Sequence, residues 1–195
     1  MKVEMTNTLK TILLVMSIAV MGAFGLPTND RCNCVPAQSY RIEAKHEQNI
    51  SAYPLSPITI NTSTMLAWET EYASITKSIN HSKRSRTLIR QKNCPEDSIY
   101  TFVGYLYRIR TGEADCDLHL ECGPKNSAQR AGLEITVEKC DLQNTLIAKL
   151  KAKGFHISKD NAIGIPIKAT GFGFYDGWHQ QWELHPVFEF ELLNE

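Results

Sequence analysis

The chain has 195 residues and a mass of 22.0 kDa, with 43% apolar and 22% charged side chains. That is the composition of one ordinary globular domain with an appendage, and it excludes collagen-like, coiled-coil and wholly disordered classes. Basic and acidic residues balance at 21 each, which removes the electrostatic footprint of a nucleic-acid binder or a basic membrane-surface protein.

Residues 1–25 read as a signal peptide. Lys2 and Lys10 precede an uncharged run from Thr11 to Gly25, and Ala23-Phe24-Gly25 sets small residues where a signal peptidase reads. The apolar centre, Ile12 to Met21, is shorter than the roughly 20 residues of a bilayer span, so no stable membrane span is expected after cleavage. The alternative is an uncleaved anchor. Cys32 lies too far downstream for a lipid anchor. Removing Lys2, Glu4 and Lys10 leaves 19 basic and 20 acidic residues, a formal charge of −1. The expectation is a secreted or periplasmic protein whose six cysteines, Cys32, Cys34, Cys94, Cys116, Cys122 and Cys140, form disulfides. The one-residue gap of Cys32-Asn33-Cys34 suits neither a zinc knuckle nor a redox Cys-x-x-Cys.

Residues 26–92 form an N-terminal extension rich in Ser, Thr, Asn and Pro, without a sustained strand pattern. Within it, Met65, Trp68, Tyr72, Ile75 and Ile79 recur at three- and four-residue spacing and predict a helix between Ser63 and Ile89, capped by Ser63 or Thr64. Its basic tail, Lys83 to Arg90, reads as a solvated helix end suited to the C-terminal dipole, with an anion-binding patch as the alternative. Sequons at Asn49, Asn61 and Asn80 would make the protein a glycoprotein in a host that glycosylates.

Residues 93–195 are regular. Ser98 to Arg110 is a long aromatic and β-branched strand, with Gly104 marking a bulge or bend. Asp115 to Cys122 alternates, with Cys116, Leu118, Leu120 and Cys122 on one face and Asp115, Asp117, His119 and Glu121 on the other. Leu133 to Glu138 alternates again. Asp141 caps an amphipathic helix carrying Leu142, Leu146, Ile147 and Leu150, and Gly154 closes it. Ile163 to Tyr175 is a fourth strand. A fifth buries Trp182, Leu184, Pro186, Phe188, Phe190 and Leu192. Mainly β with one helix, in the order β-β-β-α-β-β, this is the requirement of a five-stranded OB-like barrel, with a generic α+β sandwich as the alternative.

Cys116 and Cys122 stand about 20 Å apart by strand rise and cannot bridge each other. A hairpin of the second and third strands brings Cys116 toward Cys140, the pair expected here. Cys94 and Cys122 then find partners between themselves or in Cys32 and Cys34, fastening the extension to the barrel.

Two short segments, Asp115-Cys116-Asp117-Leu118-His119-Leu120 and Trp182-Glu183-Leu184-His185-Pro186-Val187, resemble paired segments in an uncharacterised family of exported OB-like domains. The resemblance covers residues 93 to 193. It implies a fold and export, and it carries no catalytic residue across.

Asp117, His119, Glu183 and His185 are the candidate polar site, of types that serve metal binding or acid–base work. In OB order the third strand separates the second from the fifth, so these side chains start about 10 Å apart, too far for direct co-ligation unless a bend intervenes. No nucleophile elbow or phosphate loop is present, and neither a cofactor nor a metal is expected. The strongest binding signal is the loop between the last two strands, where Tyr175 and Trp178 offer stacking rings and Asp176, His179 and Gln180 hydrogen-bonding groups. OB-folds bind oligosaccharides or oligonucleotides with this loop, the first–second loop and the adjoining sheet face; Glu113 and Asp115 in the first–second loop would repel phosphates and tolerate a neutral sugar. The alternative is that Trp178 plugs the barrel end. The leading expectation is thus an extracytoplasmic binding or interaction module for an extracellular ligand or protein. The rival is a metal-dependent or acid–base hydrolase built on Asp117, His119, Glu183 and His185.

Overall fold

The computed structural model describes residues 31–34, 56–78, 94–112, 114–177 and 179–194. The expected signal peptide, the sequons at Asn49 and Asn80, the basic tail 83–90, Glu113 and Trp178 lie outside them.

The elements, in chain order, are β1 (Ile58–Ile60), α1 (Thr62–Glu71), α2 (Ala73–Ser78), β2 (Ile99–Arg110), β3 (Leu118–Gly123), β4 (Ala131–Ile135), α3 (Cys140–Ala152), β5 (Ile165–Asp176) and β6 (Gln181–Leu192). Short 3-10 turns sit at Arg31–Asn33, Pro95–Asp97 and Val137–Lys139. The strands run β2-β3-β4-β6-β5 and close through antiparallel pairing of β2 with β5, from Ile99↔Phe172 to Leu106↔Ile165. β4 and β6 are parallel, with Gly132↔Glu183 and Leu133↔Leu184. The result is a closed five-stranded OB-like barrel with a helix between its third and fourth strands.

β2 serves two parts of the wall. Its first half pairs with β5 on one side and β1 on the other, its second half with β3. The ladder with β3 slips between Leu106 and Arg108, so the irregularity falls at Tyr107 rather than at the expected Gly104. β1 is a strand in a segment expected to hold none, and it extends the sheet in parallel beside Tyr100 to Phe102.

Inward-pointing Phe102, Leu106, Ile109, Leu118, Leu120, Leu133, Ile135 and Leu184 are all fully buried and form the core with α3, whose Leu146 and Leu150 face it. α1 is capped by Asn61, whose Oδ1 accepts from Thr64 N at 3.1 Å, in place of the expected Ser63 or Thr64; its side-chain oxygen stands just before the first helical residue, Thr62, and reaches the open N–H. α1 lays Trp68 against Tyr100 and Trp182 at ring separations of 4.8 and 6.0 Å. α3 begins one residue before Asp141, which sits inside its first turn and does not cap it. Gly154, at φ +76°, ends α3 as expected.

The cysteine pairing differs from expectation. Cys140 bonds Cys32 and Cys116 bonds Cys34, so the expected Cys116–Cys140 bridge is not formed, and Cys94 and Cys122 are buried thiols outside either disulfide. The reason lies in the backbone: Cys116 has a φ of +69° and precedes β3, so it leaves the alternation that was to aim it at the core with Leu118. Next to the bridged cysteines, Arg31 docks on the barrel. Its guanidinium donates to Gln143 Oε1 at 2.7 Å and to the carbonyls of Thr111, Cys116 and Asp117 at 2.7, 2.6 and 2.9 Å. The extension is thus fastened to the barrel through Cys32 and Cys34.

The bridges close sequence separations of 108 and 82 residues, for which loop-closure entropy gives about 4.5–5 kcal/mol for each taken singly. Non-reducing peptide mapping is expected to yield the peptides Cys32–Cys140 and Cys34–Cys116, with Cys94 and Cys122 alkylated only after denaturation. Replacing Cys34 and Cys116 together by Ser is expected to lower stability in urea by about 2–5 kcal/mol.

Candidate functional site

Alternation along three neighbouring strands builds the site. While Leu118, Leu120, Leu133, Ile135 and Leu184 point inward, the residues between them point to the outer face: His119, Glu134, Glu183 and His185, with Asp117 just before β3. Register aligns them. His119 is opposite Glu134 in the β3–β4 pair, and the parallel step Leu133↔Leu184 brings Glu134 beside His185.

This outer face is not solvated there. Asp117, Glu183 and His185 are fully buried, and Glu134 and His119 are nearly so. His119 Nδ1 meets Glu134 Oε1 at 2.7 Å, and Glu134 Oε2 stands 2.6 Å from His185 Nδ1. His185 Nδ1 also meets Glu183 Oε1 at 3.0 Å, while its Nε2 lies 3.1 Å from Asp117 Oδ2. Asp117 Oδ1 accepts from Val137 N at 3.2 Å. Two imidazoles and two carboxylates therefore alternate in one chain, His119–Glu134–His185–Asp117, with Glu183 beside it. Phe174 covers His185 at a ring separation of 5.2 Å.

The separation of about 10 Å expected between the second and fifth strands holds for backbones and fails for side chains. His185 and Asp117 reach toward each other past β4, and Glu134, on the strand between, joins the two histidines. Glu134 was missed in the sequence reading, although its place opposite His119 follows from the alternation of β4 and the OB strand order.

The chain opens to solvent at His119. A cleft of about 290 Å³ is lined by Arg110, His119, Glu121, Arg130, His179 and Gln181, among others. His119 is bonded to Glu134 through Nδ1, and His179, the second imidazole of the lining, to Asp176 through Nδ1. Arg110 is ion-paired with Glu121. Arg130 stacks over the Tyr107 ring at 3.9 Å and donates to the carbonyls of Ser127 and Gln129, which holds its guanidinium at the rim. At Gly132 a Cβ would stand 3.2 Å from Gln181 Nε2 and 3.4 Å from His119 Cε1, so the missing side chain keeps the floor open.

The β5–β6 loop residues part company. Tyr175 is buried against Trp182 at 5.2 Å, so its ring is part of the core and not a shelf in solvent. Asp176 is buried and braces His179 through Oδ2 and Nδ1 at 2.7 Å. His179 is half-exposed and lines the cleft; Gln180 is exposed, with a φ of +56°. Arg110 and Arg130 carried no motif, and the barrel draws them to Gln181 at the end of the β5–β6 loop.

No family model and no curated protein matches the chain. Among solved structures, the chain is similar to an OBody bound to hen egg-white lysozyme, at 9% identity and a TM-score of 0.36, over 50% of this chain and 79% of that one. A likeness of that size carries no argument here.

Two groups in this cluster have raised proton affinities. Burial lowers the affinity of His119 for its proton, but the hydrogen bond and charge of Glu134, with Glu183 behind, outweigh it and raise the pKa. Burial, reinforced by the Glu134 charge, pushes Glu183 up to about 7 against the pull of His185; Asp176 adds to the push. Arg110 opposes protonation of His119. Both folded values lie above those of the unfolded chain, so each contribution is complete below the unfolded pKa and is lost as pH rises through the folded one. The unfolding midpoint in urea is therefore expected to fall from about pH 5 to above pH 7. Glu183→Gln should flatten the lower part of that slope and His119→Gln the upper part. A midpoint that rises over this range, or slopes unchanged in both variants, contradicts the assignment.

Proposed function

We propose that the protein is an extracytoplasmic binding module whose cleft over β3 and β4 holds an acidic oligosaccharide. The observation that carries the reading is the cleft itself. It lies on the second–third strand face beside the fourth–fifth strand loop, the surface where OB barrels take extended polar ligands. Its lining offers two guanidiniums, two imidazoles and the Gln181 amide against one carboxylate, Glu121. Such a surplus of donors suits a ligand rich in hydroxyls and carrying carboxylate or sulfate groups. The two arginines move the ligand from the neutral sugar expected of the loop acids toward an acidic one. Two disulfides support an oxidising compartment, as does the resemblance of the Asp117–His119 and Glu183–Val187 segments to exported OB-like domains. The absence of a basic surplus in the composition argues against nucleic acid. Among the described residues no helix is long and apolar enough to cross a membrane.

The hydrolase reading has one observation in its favour, the continuous chain of imidazoles and carboxylates behind His119. Against it, a hydrolase acting on glycosides needs two carboxyl groups flanking the scissile bond, and Glu183, Asp117 and Glu134 are shut away from the cleft.

Calorimetric titration with uronic-acid or sulfated oligosaccharides is expected to show binding that neutral analogues lack. Arg110→Ala should weaken it about tenfold or more, the size of a lost charge-assisted hydrogen bond. Binding of neutral and acidic sugars alike, or an affinity indifferent to both Arg110→Ala and Arg130→Ala, overturns the proposal. Release of shortened sugars that stops in His119→Ala with binding retained would establish the hydrolase instead.

A further inference from the structure

We propose that His119, Glu134 and Glu183 form a binding site for a divalent first-row transition-metal ion, with zinc as the reference case, in the buried cluster behind His119. Donor atoms of the three residues lie within 4.8 Å of one another, and all three side chains are buried. One imidazole and two carboxylates are a donor set suited to zinc and its neighbours rather than to calcium or magnesium. Three protein ligands leave the usual fourth position of such an ion to water.

A second observation points to a cation independently of the cluster's composition. Glu183 Oε2 is fully buried and has no hydrogen-bond partner among the described residues, while its other oxygen is held by His185 Nδ1 at 3.0 Å. A buried carboxylate oxygen left without a donor costs free energy that a metal–oxygen bond would recover. Charge leads to the same place. Asp117, Glu134 and Glu183 put three carboxylates beside two imidazoles, and a doubly charged ion offsets the excess.

Room for the ion is built in. Gly132 lies between the two outer ligands, and a Cβ there would stand 3.4 Å from His119 Cε1 and 3.5 Å from Glu183 Cβ. Behind the three ligands, His185 stands against both carboxylates through Nδ1, and its Nε2 lies 3.1 Å from Asp117 Oδ2. Groups that orient metal-binding carboxylates and imidazoles in this way set affinity nearly as strongly as the ligands do. The inference does not depend on saccharide binding, and the two fail separately because the metal is measured on the protein alone.

Cobalt(II) added to the oxidised, chelator-washed full chain is the probe. The expected result is visible d–d absorption that saturates at one ion per chain and is displaced by zinc. Glu183→Gln and His119→Gln should each weaken binding by about 100-fold or more, beyond the range typical of a lost supporting group. His179→Ala, in the cleft but outside the cluster, should bind as the parent does. Thermal melting establishes that each variant is folded; His119→Gln, at the edge of the cluster, carries the test if Glu183→Gln does not fold. Three results overturn the site: no absorption from the parent protein, binding indifferent to both ligand variants, or binding lost on replacing His179 alone.

Discussion

The carboxylate of Glu134, with one oxygen on each of two histidines, is the interaction around which the rest of this molecule is arranged. A carboxylate in that position has been taken out of water, and it is tolerable only because an imidazole stands at either oxygen. That requirement propagates outward. His119 and His185 have to arrive from the strands on either side of β4, which fixes the pairing of three strands at this height. His185 in turn needs Asp117, and Asp117 lies where the chain enters β3. The entry is held by Arg31, through the carbonyls of Cys116 and Asp117, and Arg31 directly precedes Cys32 and Cys34, each tied to the barrel by a disulfide. A residue from the far N-terminal part of the chain is thereby coupled, through four contacts, to the imidazole at the cleft.

The polar cluster and the cleft divide the chemistry between them. Inside, charge is confined and proton positions are tightly linked, so the groups act together rather than singly. Outside, Arg110, Arg130 and His179 stand at the rim, where water and ligand exchange. His119 belongs to both and is the one member of the chain that communicates with the cleft.

The barrel was legible because its signals are local. The alternation from Leu118 to Cys122, the helical spacing of Leu142, Leu146 and Leu150, and the glycine after the helix each report a period or a terminus that neighbouring residues alone decide. Asp117, His119, Glu183 and His185 were legible as types for the same reason. What escaped depends on distance along the chain. Glu134 resembles any solvent-facing strand glutamate until β3 and β6 are set on either side of it. The disulfides turn on one positive φ at Cys116, a conformation its residue type does not announce. Tyr175 looked like a loop aromatic because β5 continues to Asp176, one residue past the expected end, and carries the ring inward.

β4 has five residues and all of them are buried, Leu133 and Ile135 against the barrel interior, Glu134 against the histidines. Most strands in antiparallel sheets have one face in water, and there a slipped pairing costs only what the apolar side loses. Here a slip of one residue would drive the Glu134 carboxylate into leucines and, in the same movement, press Leu133 among carboxylates and imidazoles. Each face rejects the other's residues, so misaligned forms are penalised twice. The cluster that equips the surface for chemistry also proofreads the sheet, and substitutions that neutralise it would be expected to loosen alignment as well as reactivity.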